Sequence, residues 1–180
     1  MSLTKFTSIT GTCVPIPGPD MDTDRIIPSR FLKCITFDEL ANVMFWDERF
    51  DENGKSKSHP VDDPRFRGAA IILGGTNFGC GSSREQAPIA LKQAQVALVV
   101  AQGFARIFRR NCINIGMPVF VADAVKKLHT GEIIEVDLEK GTITAPCGVI
   151  EANPLSENVL KTLEYGGLIP RVRAELGITE

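Results

Sequence analysis

The sequence predicts an α/β fold, because short runs of β-branched and aliphatic residues alternate with helical patterns along the chain. The most regular unit is an apolar strand at 69–73, a glycine-rich turn at 74–81, a helix at 84–94 and a second strand at 96–101. A strand, a helix and a second strand in this order predict a βαβ unit with parallel strands. With 180 residues, 43% of them hydrophobic and 23% charged, the chain is expected to form a single domain over 1–180.

Upstream of this unit, the pattern predicts a first strand at 4–14 and a proline-rich loop that leads into the acidic segment Asp20–Asp24. Apolar residues at helical spacing predict a helix at 37–48. Residues 51–64 are rich in Gly, Ser, Lys, Asp and Pro, and they predict a long exposed loop.

Downstream of the unit, the chain continues to alternate and ends in a helical tail at about 155–180. Gly166 and Gly167 are expected to stop the first helix of this tail. The expected elements are a helix at 104–112, a strand at 118–121, a short helix at 123–129, a hairpin of 132–138 with 141–145, a helix at 156–165 and one more helical turn before Gly177.

Charge and hydropathy exclude several classes of partner. Twenty Lys and Arg against 22 Asp and Glu leave a net charge of −2, which provides no overall attraction for nucleic acid or an anionic membrane. The apolar runs are far shorter than the roughly 18 to 20 residues that span a bilayer. The segment Met1–Gly11 lacks the features of a signal peptide, so we expect a cytoplasmic protein with no nucleic-acid or membrane partner.

The cysteines and histidines predict neither a disulfide framework nor a metal site in this chain. The five cysteines are scattered and include no C-x-x-C pair, which is typical of reduced thiols. His59 and His129 are widely separated and are expected at the surface. Cys80 precedes a predicted helix, where a thiol pKa can fall, but a small residue packed in a tight loop is the favoured interpretation.

The glycine-rich turn carries the clearest chemical signal. Four glycines lie within Gly74–Gly81 and are followed by Ser82, Ser83 and Arg84 at the expected start of a helix. Glycines allow close backbone approach, and the free N–H groups of a helix start favour an anion. The turn lacks the Lys of a Walker loop and the third small residue of a dinucleotide fingerprint. A simpler interpretation is a helix cap formed by Ser83 and Gln86.

These residues resemble a known family. The stretch Asn77–Glu85, together with Asp22–Leu32 and Gly103–Phe108, is similar to the small subunits of 3-isopropylmalate dehydratases, in the aconitase superfamily. The resemblance implies a swivelling β/β/α domain with a βαβ core. It also implies a large-subunit partner, in a heterodimer or heterotetramer, that holds a 4Fe–4S cluster, while this chain binds no cofactor. One departure is Gln86, where the family usually has His.

The same resemblance implies roles for individual residues. Ser82 would be the general base, and Asp24 would lie near the leaving hydroxyl and its proton donor. Ser83 and Arg84 would hold one substrate carboxylate, and Arg30 a second. The segment Phe31, Leu32, Lys33 and Cys34 would contact the substrate side chain and set specificity.

A serine hydroxyl is a poor base near neutral pH. Lowering its pKa by about 5 units takes on the order of 7 kcal/mol, at roughly 1.4 kcal/mol per unit. A helix terminus contributes only about 0.3 to 2 kcal/mol. The remainder has to come from Arg84, backbone donors and exclusion of water in a closed pocket, so we expect the isolated chain to be inactive.

Three functions remain open at this stage. The first is a hydro-lyase subunit that isomerises 2-isopropylmalate to 3-isopropylmalate in leucine biosynthesis. The second is the same chemistry on citramalate, homoaconitate or dimethylmalate. The third is a noncatalytic module that uses the glycine-rich turn only to bind a carboxylate. A nucleic-acid role for the basic, aromatic segment Phe104–Arg110 is disfavoured by the net charge, and a partner-facing helix fits it better.

Overall fold

The computed structural model describes residues 7–33, 37–66 and 70–178. Their centre is a mixed seven-stranded sheet with the strand order β4-β3-β2-β1-β5-β6-β7. Strands β1 to β4 are parallel to one another. Strands β5, β6 and β7 form an antiparallel meander, and β5 pairs antiparallel with β1. The strands are β1 Ser8–Ile16, β2 Ala70–Gly74, β3 Val96–Ala101, β4 Val119–Val121, β5 Ile133–Asp137, β6 Thr142–Ala145 and β7 Gly148–Glu151.

Helices lie between the parallel strands along the chain and follow the last strand. The six α-helices are α1 Thr23–Ile26, α2 Trp46–Arg49, α3 Gln86–Gln93, α4 Arg106–Asn114, α5 Glu157–Glu164 and α6 Leu168–Glu175. Short 3₁₀ helices cover Ser29–Lys33, Phe37–Val43 and Pro60–Asp62. None of the helices in the described part of the chain is long and apolar enough to cross a membrane.

The parallel strands are buried on both faces, which explains their continuous apolar sequences. Every residue of β2 is buried, and side chains on opposite faces enter different apolar clusters: Ile72 packs with α3 and α4, whereas Ile71 and Leu73 pack with β5, β6 and α5. The meander differs, since β5 buries Ile134 and Val136 and exposes Ile133 and Glu135. The predicted βαβ unit is confirmed, with β2 and β3 parallel.

Four elements differ from the sequence prediction. The helix expected at 37–48 is broken, because Phe45 adopts a left-handed backbone conformation with φ of 53° between the 3₁₀ helix and α2. The short helix expected at 123–129 is a set of turns. Strand β7 was not predicted, and the last helical turn is a helix of eight residues, α6.

Side-chain contacts hold the loop at 51–64 against α2 and its N-cap residue Phe45. Arg49 forms a bidentate ion pair with Asp62, at 2.7 Å from Nη2 to Oδ1. His59 was expected at the surface, but its side chain is buried, stacks on Phe45 and lies 3.5 Å from Glu48 Oε2. The prediction of a surface position for His59 was wrong because its stacking partner, Phe45, lies in another element. The local sequence around His59 does not reveal that contact.

Candidate functional site

Two loops meet at the carboxyl ends of β1 and β2, which is where α/β sheets bind ligands. One loop is the acidic segment before α1, and the other is the glycine-rich turn after β2. Main-chain hydrogen bonds of 2.7 to 2.9 Å join them, from the amides of Asp20, Gly79 and Thr23 to the carbonyls of Thr76, Met21 and Cys80. The Thr23 hydroxyl also donates to the Ser82 carbonyl at 3.0 Å.

Glycine is required at two of these contacts for steric reasons. A Cβ at Gly75 would lie 2.0 Å from the Gly18 carbonyl oxygen, far inside van der Waals contact. Gly81 has a φ of +87°, and a Cβ there would lie 2.1 Å from Asp22 Oδ2. The glycines therefore allow the two loops to touch, as well as allowing a ligand to approach.

Asp24 and Arg84 form the central ion pair of the site. Both terminal nitrogens of Arg84 donate to the Asp24 carboxylate, with Nη2 to Oδ2 at 2.9 Å. The Asp24 carboxylate also accepts from the Ser29 amide at 3.1 Å. The Arg84 guanidinium, aided by that amide, holds the pKa of Asp24 below its usual value. Asp24 is therefore a carboxylate at neutral pH.

Ser82 and Ser83 precede α3 and are exposed. The helix begins at Gln86, its N-cap is Glu85, and no side chain caps it, so the predicted cap of Ser83 with Gln86 is wrong. Both serines line the adjoining pocket.

The pocket has a volume of about 560 Å³ and lies between the glycine-rich turn and the first turns of α4. The turn contributes Ser82, Ser83 and Arg84 to the lining, and α4 contributes Arg106 and Arg110. Three aromatic rings, those of Phe78, Phe104 and Phe108, pack edge-to-face or stacked beneath it, with centroids 5.7 to 6.4 Å apart. The sequence shows the segment Phe104–Arg110 as basic, but no pattern in it predicts that Arg106 and Arg110 belong to the site.

Arg30 does not line this pocket. It forms a bidentate ion pair with Asp47 and, with Trp46, lines a second cavity of about 480 Å³. Its guanidinium lies 4.7 Å from the centroid of the Phe31 ring, and that ring packs edge-on against Trp46 at 5.5 Å. The carboxylate role of Arg30 stays a prediction.

The rest of the predicted specificity segment is described only in part. Leu32 is half-buried and Lys33 exposed, both in the 3₁₀ helix that follows Pro28. Cys34 lies outside the described residues. The four described cysteines are free: burial raises the pKa of Cys13 to about 11, and burial together with Asp22 and Asp20 raises the pKa of the Cys80 thiol. The reactive interpretation of Cys80 is therefore not supported by its surroundings.

No metal site is built from the described residues, since they contain no group of three or more His, Cys, Asp or Glu that could hold an ion. The lining of the pocket includes three guanidinium groups and no carboxylate, which favours an anion over a cation.

Comparisons with known proteins match this geometry. A family model described as the aconitase C-terminal domain matches residues 3–123. The 3-isopropylmalate dehydratase small subunit of Thermus thermophilus is 53% identical over 116 residues, which cover 64% of this chain and 58% of that protein. This chain thus spans little more than half the length of that relative.

Two further relatives cover more of the chain. The methanogen homoaconitase small subunit of Methanothermobacter thermautotrophicus is 42% identical over 154 residues, with 84% of each protein covered. The crystal structure of 3-isopropylmalate dehydratase from Methanocaldococcus jannaschii is similar with a TM-score of 0.79 and 33% identity, covering 95% of this chain and 96% of that one.

Proposed function

Because the chain belongs to the aconitase C-terminal domain family, we propose that it is the small subunit of a hydro-lyase that interconverts 2-isopropylmalate and 3-isopropylmalate in leucine biosynthesis. The observation that carries the proposal is the pocket lined by two exposed serines and an arginine of the glycine-rich turn. Dehydration of a hydroxy diacid needs a base for the C–H proton and cations for the carboxylates, and this pocket offers both.

In this proposal Ser82 takes the proton from the substrate carbon. Ser82 is exposed and lines the pocket, and its main-chain carbonyl accepts a hydrogen bond from the Thr23 hydroxyl at 3.0 Å. Since α3 begins four residues later, the helix terminus adds little to the acidity of this hydroxyl, because such effects fade within the first turn. Nearby guanidinium groups and closure of the pocket have to supply most of the effect.

Arg84 binds the first carboxylate together with Ser83. A guanidinium has five N–H donors, and the pair with Asp24 uses only two of its nitrogens. The Nε–H and a remaining N–H are therefore left for a substrate carboxylate, and the ion pair need not open. Asp24, held ionised by Arg84, orients a proton donor near the leaving hydroxyl and does not itself supply the proton.

A large subunit completes the enzyme in this proposal. It carries the 4Fe–4S cluster, which supplies a Lewis acid for the leaving hydroxyl when bound. The swivelling domain closes the pocket against it, removing water from the serine and the arginines. The assembly is a heterodimer or heterotetramer, and the reacting groups of this chain remain open to solvent without it.

The experiment is anaerobic co-purification of this chain with a candidate large subunit, followed by assay against 2-isopropylmalate. We expect a brown complex with iron-dependent dehydratase activity and no activity from the isolated chain. A colourless, inactive preparation after iron–sulfur reconstitution would contradict the proposal.

Homoaconitate is the second candidate substrate, because a homoaconitase small subunit is 42% identical over most of this chain. Citramalate and dimethylmalate offer the same pair of carboxylates. Comparing kcat/KM of the reconstituted complex for the four acids decides among them, and a preference for another acid would reassign the substrate without changing the chemistry.

A further inference from the structure

The first turns of α4 present a row of three arginines, Arg106, Arg109 and Arg110, all exposed. Arg106 and Arg110 are four residues apart, so their side chains are neighbours on the surface of the helix. Both Arg106 and Arg110 belong to the lining of the pocket, whereas Arg109 does not.

The charge of the pocket is strongly one-sided. Its thirteen lining residues include three arginines and no Asp or Glu. The charge of Arg84 is balanced by Asp24. Neither Arg106 nor Arg110 has an ion pair or a hydrogen bond to a side chain or carbonyl among the residues that the structure describes. Two uncompensated positive charges therefore face the cavity beside Ser82.

The backbone of α4 adds to this field. The helix begins at Arg106, and its N-cap Ala105 has no side chain that could cap the first amides. The N-terminus of a helix carries a partial positive charge and free N–H donors, which favour a negative guest. The unbalanced positive charge of the pocket therefore lies on the wall formed by the start of α4, opposite the glycine-rich turn.

We propose that Arg106 and Arg110 bind the second carboxylate of the diacid substrate, while Ser83 and Arg84 bind the first. The inference rests on the proposed function, since it assumes a substrate with two carboxylates. It differs from the assignment of the second carboxylate to Arg30, which is paired with Asp47 outside this pocket. Arginine suits the role, because its planar fork matches a carboxylate in a bidentate geometry.

Binding to the ¹⁵N-labelled isolated chain tests the inference without turnover. The probes are 3-isopropylmalate, a diacid, and 4-methylpentanoate, a monocarboxylate with a similar side chain, each followed by the Arg Nε–Hε and backbone signals. Substituting Arg106→Gln or Arg110→Gln is expected to raise the Kd of the diacid about tenfold and to leave that of the monocarboxylate within about twofold. Arg109→Gln, a matched change on the same helix, is expected to alter neither.

The same variants in the reconstituted complex separate substrate binding from docking of the large subunit. Removing a carboxylate contact raises KM for the diacid while assembly is unchanged. If Arg106→Gln and Arg110→Gln instead weaken assembly and leave KM unaltered, the two arginines contact the partner and the inference is wrong. It is also overturned if Arg30→Gln raises the diacid Kd and the α4 variants do not, or if the wild-type chain shows no shift of either α4 arginine with the diacid.

Failure of the proposed function would look different. A complex that dehydrates none of the four acids would contradict the enzymatic assignment, while the titration of the isolated chain would still report whether the α4 face binds a dicarboxylate. Thermal unfolding of each variant serves as the folding control, since all three side chains are exposed.

Discussion

Arg84 shows how one side chain serves both the structure and the ligand. Its terminal nitrogens are joined to Asp24, which is itself fixed by the Ser29 amide at 3.1 Å. The side chain of Arg84 is only 15% exposed, so its guanidinium is held in place before any ligand arrives. Such preorganisation lowers the cost of binding a carboxylate.

Replacing Arg84 with lysine keeps the charge and removes the fork. We expect kcat/KM of the reconstituted complex to fall by about 10- to 100-fold, since hydrogen bonds to charged groups contribute about 1.5 to 3 kcal/mol. Steady-state kinetics measures the effect, with Arg109→Lys as the matched control. Unchanged kinetics in Arg84→Lys would show that a point charge is sufficient.

Ser82→Ala tests the catalytic step itself. We expect kcat to fall by about 10²- to 10⁴-fold with little change in KM, which is the usual contribution of a positioned base. Ser83→Ala, one residue along the same exposed turn, is expected to raise KM instead. If the Ser82→Ala complex retains full turnover, the turn only binds a carboxylate and the noncatalytic module is the better description.

The residues brought together at the site were largely accessible from sequence. Ser82, Ser83, Arg84 and Asp24 come from two motifs, and the structure places both motifs at one pocket. Arg30 was assigned by the same kind of reasoning but pairs with Asp47, a residue 17 positions later. That pairing depends on how the segment after α1 folds back, and no local pattern encodes it. The sequence shows the α4 arginines as a basic run, but it does not show that two of them, Arg106 and Arg110, line a pocket.

At the level of elements, the strands were easier to predict than the helices. Buried parallel strands such as β3, at Val96–Ala101, are continuous apolar runs and match the prediction residue for residue. The helix expected at 37–48 has a suitable apolar spacing but breaks at Phe45, whose amide donates to the Ile26 carbonyl at 2.8 Å. This tertiary hydrogen bond outweighs the local helical preference.

Gly75→Ala tests the contact between the two loops. A Cβ there would lie 2.0 Å from the Gly18 carbonyl oxygen, so the loops have to separate. We expect the free energy of unfolding to fall by about 1 to 3 kcal/mol, as for other overpacked sites. Gly103→Ala is the control, because its Cβ would approach only the Asn77 amide nitrogen, at 3.8 Å. Urea unfolding measures both, and equal stability of the two variants would contradict the close contact.

At the scale of the whole molecule, the parallel and antiparallel halves of the sheet have different roles. The parallel half carries the glycine-rich turn, after β2, and α4, between β3 and β4. The antiparallel half extends the apolar core on the other side of β1. Several charged residues around the sheet form ion pairs. Hydrogen bonds from Arg84, Arg30 and Arg65 hold the pKa values of Asp24, Asp47 and Asp63 below their usual range, to about 2 for Asp63.

These lowered pKa values predict acid sensitivity. A carboxyl group with a lower pKa in the folded state binds fewer protons there than in the unfolded chain, so stability is fully present above about pH 5 and decreases as the pH falls through the folded pKa values. Each pair has at least one side chain largely open to solvent, which screens the interaction, so each effect is small. We expect the urea midpoint to decline steadily from pH 5 to pH 3, and Asp63→Asn to flatten that decline slightly. An unchanged midpoint over this range would contradict the prediction.

The hairpin between β6 and β7 ends in Cys147, which is exposed, whereas Cys13 and Cys112 are buried with raised thiol pKa values. In the strand order of the sheet, β1 and β5 separate this hairpin from β2, β3 and β4, the strands next to the glycine-rich turn and α4. A maleimide dye should therefore attach at Cys147 ahead of the other described thiols. Such a dye would make the approach of a large subunit visible in real time by fluorescence anisotropy, without a chemical change at the serines or arginines.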